Sequence, residues 1–277
     1  MNRYLEFTHL KKILTNLFRF TKYITSLDIL PKKRFAMLKI LFSPSEGKNS
    51  GGDEQKRELF GALSARDTVL QAYNEIILSQ DEEAIKNLFG IKKFSACEPF
   101  LHDIYNSPLM CAIERYDGVA YDYLKYKELS CSAQEYLKEN TVIFSNLYGP
   151  LLGGDTIANY KVKQGNDIGS IKPDKFYKER FSYQLDLYLA KHDILDLRAG
   201  YYDKFYKTNQ PYTSLKFLKN GKTVSHWAKA YRGIVLREVA LHDISSIEEF
   251  MELAIEGLSV VEIKKIKNKT EIIYNII

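Results

Sequence analysis

The sequence has little of what metal and redox sites are usually built from. Three cysteines, Cys97, Cys111 and Cys131, stand far apart in 277 residues, with no CxxC pair and no even framework. That excludes a disulfide scaffold and points to reduced thiols in a cytoplasmic protein. The five histidines, His9, His102, His192, His226 and His242, show neither HxxxH nor HExxH spacing, so no metal site and no cofactor is expected. Tryptophan occurs once, against 20 Tyr and 15 Phe, most of which a soluble chain of this size needs for its core. A one-signed charge distribution is also missing from the body of the chain. The formal charge of +5 is concentrated in residues 1–36, where eight Lys and Arg face Glu6 and Asp28 for +6; from Met37 onward the balance is −1. Any anion-binding site in the body must therefore be a local patch.

Within residues 1–36 no apolar run reaches the roughly 18 residues of a membrane span, and charges interrupt every candidate signal-peptide core. Tyr4, Leu10, Ile13, Leu14, Leu17 and Phe18 recur at helical spacing with Lys and Arg between them. This reads as a basic amphipathic helix, which could lie on a membrane surface. It is expected to be an N-terminal extension or a mis-assigned start. Residues 37–277 are expected to be the domain proper, entered through the strand-like run Leu38–Phe42.

The body alternates strand and helix signals, which predicts one α/β domain with a mixed sheet and interleaved helices. Helices are expected over 54–78, 81–89, 99–105, 108–115, 132–139, 174–189, 228–241 and 248–255. Strands are expected at 38–42, 119–123, 141–144 and 194–197, with hairpins at 212–227 and 258–276. No internal repeat or low-complexity run is present.

The stretch organising the chain is Thr141 to Ile168. A β-branched and aromatic run, Thr141 to Phe144, stops at Ser145-Asn146, and Gly149, Pro150, Gly153 and Gly154 forbid a long regular element after it. The pattern predicts a mobile, backbone-rich loop at a strand end, where α/β proteins bind ligands, with Tyr148 and Tyr160 as stacking surfaces. Ser43 to Lys48 (SPSEGK) follows the first strand. It lacks the upstream glycine of a phosphate loop, and Asn49 stands where Ser or Thr should be, which excludes a Walker A motif; its amides and Lys48 can still meet a phosphate. On the helix after Trp227, Lys229, Arg232 and less closely Arg237 share a side. Such a pattern is most often a solvated face. Gly233, however, costs roughly 1 kcal/mol inside a helix relative to Ala, so a close approach by a backbone or a ligand is expected there.

Lys39 to Lys48 (KILFSPSEGK), Ser145 to Gly149 (SNLYG) with Tyr160 and Gly165 downstream, and Ala228 to Gly233 (AKAYRG) followed by Arg237 occur in order along the chain. In these spaced motifs the sequence from Met37 resembles the YaaA family of bacterial peroxide-stress proteins. The resemblance implies a single domain of unusual topology with a positively charged cleft. It also implies binding of duplex DNA through a helix-hairpin-helix element, and a role in limiting free iron and oxidative damage under hydrogen peroxide. Departures are Asn146 within S-N-L-Y-G and Gly153-Gly154-Asp155 in place of a motif with a basic residue; the family's Y-x-K pair falls on Tyr202 and Lys204. Only the Gly149–Gly153 region offers a hairpin for the helix-hairpin-helix element.

Ser43, Lys48, Ser145, Tyr148, Gly149, Tyr160, Tyr202, Lys204, Lys229, Arg232 and Arg237 are thus the expected contacts to DNA or another phosphate-bearing ligand. An enzyme acting on a nucleotide or nucleobase in the same cleft is the alternative, with Ser43, Ser145, Tyr202 and Lys204 as its polar groups.

Overall fold

Leu38–Phe42 (β1) is apolar but for Lys39, and all five residues are buried, as a strand covered on both faces by helices requires. In the computed structural model, which describes residues 37–53, 60, 61 and 64–277, β1 is an inner strand of a mixed sheet. Thr141–Ser145 (β5) pairs with it in parallel on one side, with Ile40 opposite Thr141; Asp193–Asp196 (β8) does so on the other, with Ile40 opposite Leu195. Tyr212–Lys219 (β9) and Lys269–Ile276 (β12) extend the parallel set beyond β8. Antiparallel strands close both sides, Gly149–Leu152 (β6) against β5 and Leu258–Ile266 (β11) against β12. Lys222–Thr223 (β10) adds a short hairpin arm to β9. Two small ribbons complete the strands: Gly47–Lys48 (β2) with Tyr116–Asp117 (β4), and Leu109–Cys111 (β3) with Thr156–Ala158 (β7). Residues Ala36–Ile277 form one compact unit, and the mixed α/β sheet is as expected. The basic N-terminal helix expected within residues 1–36 lies outside the described residues.

The helices are Ser64–Leu78 (α1), Glu82–Phe89 (α2), Ala112–Arg115 (α3), Val119–Leu124 (α4), Cys131–Asn140 (α5), Pro173–Leu189 (α6), Ser225–Leu241 (α7) and Ile247–Glu252 (α8). Helix α2 shows why some boundaries are readable. Asp81 accepts from the Glu83 and Ala84 amides, and Gly90 closes the helix at φ 66°. Other expectations are overturned. Val119–Leu124 is helical, not extended: Gly118, at φ 131°, starts it, and Tyr121 and Leu124, three residues apart, are both buried. The span 99–105 holds only a 3-10 turn over Glu98–Phe100, because the Asp103 side chain takes the Tyr105 amide (2.9 Å) into a local turn. In 108–115 a helix survives only over four residues, since Leu109–Cys111 pairs with β7 instead. The second arm of the 212–227 hairpin ends at Thr223, and Ser225 already opens α7.

The glycine-rich stretch is likewise no open loop. After β5 the chain turns at once into β6, and every residue from Thr141 to Leu151 is buried. The region offered as a helix-hairpin-helix is therefore a β-hairpin within the main sheet.

The chain leaves β1 for β5 on one side and returns to β8 on the other. Such a reversal leaves a crevice beyond the carboxyl ends of the strands.

Candidate anion-binding cavity

The segments leaving β1 and β8 build the crevice. Ser43, just past β1, ties them together: its Oγ accepts from the Ala199 amide (2.8 Å) and its carbonyl from the Tyr121 hydroxyl (3.0 Å). Helix α4 then packs against α7 at Gly233, where a Cβ would overlap the Ala120 carbonyl oxygen. The close approach expected at Gly233 is thus a backbone, and it is what brings α7 to the crevice. The result is a cavity of 410 Å³ with walls from Phe42 to Glu46, Gly118 to Tyr121, Leu197 and Ala199, together with Tyr202, Lys229 and Arg232. This volume suits a small organic ligand.

Lys229 and Arg232 sit one helical turn apart on α7 and face this space. Among the described residues neither has a hydrogen bond or an ion pair. Lys229 is exposed at the rim, and Arg232 is half-buried. Burial lowers the affinity of the Arg232 guanidinium for its proton, and the carboxylate of Asp196 opposes that shift. Asp196 does not pair with Arg232, because both its oxygens are taken by Arg198, Oδ1 by Nε at 2.9 Å and Oδ2 by Nη2 at 2.7 Å. Glu46, the carboxylate lining the same cavity, is turned to Lys161 Nζ (3.5 Å) and the Gln164 amide (3.2 Å). The cavity therefore holds an uncompensated guanidinium with an ammonium at its mouth.

Three other arginines are buried and show what full satisfaction looks like. Arg66 donates to the Tyr148 and Pro150 carbonyls and lies on the Phe181 ring. Arg115 holds the carbonyls of Asn49, Pro108 and Ile157. Arg198 adds the Tyr202 and Tyr206 carbonyls to its pairing with Asp196. Five donors on a planar fork normally find such partners when buried, which makes Arg232 the exception.

Of the residues expected at the site, Ser43, Tyr202, Lys229 and Arg232 meet in the cavity. Ser145, Tyr148, Gly149 and Tyr160 lie in the core. The Ser145 hydroxyl accepts from the Leu147 and Tyr148 amides (3.1 and 2.8 Å) and meets the Tyr160 hydroxyl at 2.7 Å; Tyr160 in turn meets Tyr116 at 2.8 Å. Burial pushes the Tyr160 and Tyr116 hydroxyls well above the usual range. Gly149 turns the hairpin at φ 71°, and a Cβ there would enter the Tyr177 ring. Lys204 is exposed beside the Tyr201 ring, at 4.9 Å. Arg237 donates to the Leu124 and Lys125 carbonyls (3.1 and 3.2 Å), holding the end of α4. Lys48 sits on β2, bonded to its own loop.

The sequence reading missed the part played by α4. Its signal was present in Gly118, which starts α4 close against Ser45, and in Gly233, which lets the two helices touch. The pinning arginines Arg66 and Arg115 carry no local signal, since their partners lie far off in the chain.

A family model described as peroxide stress protein YaaA matches residues 38–264. An uncharacterized protein of Campylobacter jejuni is 42% identical over 248 residues, which span 87% of this chain and all of that protein. A UPF0246 protein of Fusobacterium nucleatum is 25% identical over 237 residues, covering 80% of this chain and 93% of the relative. One from Corynebacterium glutamicum is 29% identical over 237 residues, covering 80% and 94%.

Proposed function

Since the chain belongs to the YaaA family of peroxide stress proteins, we propose that it acts in that response by binding a small phosphate-bearing ligand in the cavity at the ends of β1 and β8. The observation that carries this reading is Arg232, a desolvated guanidinium with no partner among the described residues, aimed into a cavity that a compact anion would fill. A charge left so is costly, and a phosphate oxygen pair matches its fork.

Duplex DNA is the second reading, and it rests on the resemblance. Its backbone phosphates would use the same two cations, Lys229 at the rim first. The wider set of contacts that DNA needs is not gathered at this mouth, since Lys48, Lys204 and Arg237 face elsewhere. The cytoplasmic setting and the lowering of free iron belong to this proposal too. Among the described residues no three His, Cys, Asp or Glu side chains converge as a metal-binding group, so the effect on iron is proposed to be indirect. No helix of the described residues is long and apolar enough to cross a membrane.

Titration of the wild type and Arg232→Ala with inorganic phosphate, nucleotides and a short duplex tests the reading. A lost charge-assisted contact is worth about 1.5 to 3 kcal/mol, so affinity should fall by roughly 10- to 150-fold. Nucleotide binding that Arg232→Ala leaves untouched would sink it, and loss of duplex binding alone would favour DNA.

A further inference from the structure

The edge of the main sheet at β11 carries more apolar surface than an edge strand normally shows. The strand is nine residues long and exposed from Ser259 onward, and among the described residues it pairs on one side alone, with β12. Leu258, Val260 and Ile263 stand opposite Ile276, Tyr274 and Ile272 of β12, all three buried. That inner row is covered and the outer row is not: Val260 is 51% exposed and Ile263 50%. A long apolar edge with free backbone groups is a template for another strand, and folded proteins cover it or guard it.

Guards are present on β11, and they act against some pairings more than others. An extra residue, Val261, bulges between Val260 and Glu262. Beyond it Glu262 and Lys264 share one face and pair with each other at 3.1 Å, while Ile263 and Lys265 lie on the opposite face. Consider a second β11 laid antiparallel along this edge, related by a two-fold axis normal to the sheet. Such pairing keeps like faces together only when a residue, and not a peptide bond, lies on the axis. With Glu262 on the axis, Glu262 meets its own copy; with Lys264 there, Lys264 does. Like charges directly opposite one another destabilise a sheet. With Ile263 on the axis, Glu262 faces Lys264 of the second copy and Lys264 faces its Glu262. Ile263 then meets Ile263, and the bulge brings Val260 opposite the aliphatic stem of Lys265. One register thus satisfies the apolar row and the charges together.

We propose that β11 is a self-association edge, at which a second copy of this chain adds its own β11 antiparallel with Ile263 on the two-fold axis and continues the sheet. The occupant is a second copy because the charge pattern of the strand is complementary to itself. Strands β12 and β9 separate this edge from β8, so the proposal does not rest on the anion reading.

The test is the mass of the full chain in solution, read by sedimentation and light scattering at tens of micromolar. The wild type should have twice the mass of one chain. Glu262→Lys gathers four lysines around the axis and Lys264→Glu four glutamates, so each alone should raise the dissociation constant at least about tenfold. Mixed in equal amounts, the two variants again set opposite charges across the axis, and a dimer with one copy of each should form. Its formation also shows that both variants are folded. A monomeric wild type overturns the proposal, and is the outcome expected if another segment of this chain or a different protein covers the edge instead. Single variants that dimerise like the wild type, or a mixture that stays monomeric, would place self-association on another surface or in another register and overturn it as well.

Discussion

In the β5–β6 hairpin most polar groups of the chain's most motif-like segment are turned inward and engaged, Thr141 Oγ1 and Asn146 Oδ1 being exceptions among the described residues. Ser145 caps two amides and meets Tyr160, and Arg66 clasps the carbonyls of Tyr148 and Pro150. On α7, Lys229 and Arg232 are left with nothing to hold among the described residues. The first region resembles a ligand loop in composition and is scaffold; the second resembles an ordinary charged helix and carries the unmet demand. Glycine and tyrosine density reports tight packing as readily as ligand contact. An unsatisfied half-buried charge is harder to explain by packing, because folding alone gains nothing from it.

The contrast breaks most sharply at Arg66. Arg66→Ala would strand two buried carbonyls and remove the contact with Phe181, a loss of about 3 kcal/mol or more. Urea unfolding should show it as a large fall in midpoint with unchanged ligand affinity per folded molecule. If Arg66→Ala were nearly neutral, the hairpin would not be scaffold in the sense argued.

Arg232→Ala should show the opposite profile. Stability should move by no more than about half a kcal/mol, or rise, since an uncompensated charge is removed. Binding of the phosphate-bearing ligand should weaken by the factor given above. Arg232→Lys should recover only part of it, because an ammonium cannot reproduce a two-point contact. Equal losses of stability and binding would erase the distinction between the two regions.

The third test is at Lys48. Its folded-state value, about 7, is below the ordinary 10.5, so the unfolded chain binds more protons between those two pH values. Stability therefore gains a positive slope of up to one proton as pH rises from 7 toward 10, and below 7 the contribution is flat and unfavourable. Lys48→Met should flatten that slope, read from denaturant midpoints across the same window. An unchanged slope would mean that the Tyr116 and Tyr160 rings beside Lys48 hold the ammonium charged.

What the sequence allowed to be read follows the range over which the governing interactions act. Helix α2, fixed by Asp81 and Gly90, and the parallel strands β1 and β5, fixed by apolar runs, were legible because their signals lie within a few residues. Lys229, Arg232 and Gly233 were also found, as a turn of helix with a costly glycine in it. The error over Val119–Leu124 came from taking alternating tyrosines for a strand, when Tyr121 and Leu124 are buried one helical turn apart. Lys48, Lys204 and Arg237 were grouped with the cavity on charge and on the family-like motifs. Their acceptors, the Ser45 and Leu124 carbonyls and the Tyr201 ring, are set by loop and helix-end geometry that a pattern of charges does not encode. Arg66 and Arg115 reach across 84 and 66 residues to their furthest partners, beyond any local rule.

The place of β12 inside the sheet has a consequence for biosynthesis. It fills the flank of β9, beside the crevice strand β8, yet it is translated roughly 230 residues after β1. At about 5 to 20 residues per second a ribosome needs on the order of 10 to 50 s to cover that distance. Over the last roughly 70 residues of that distance, about 4 to 15 s, the nascent chain carries β1, β5 and β8 with the sheet incomplete. Apolar surface exposed in that way is what chaperones acting at the ribosome cover. A codon change that slows translation just before Leu258 would prolong its exposure without altering a single residue of the mature molecule.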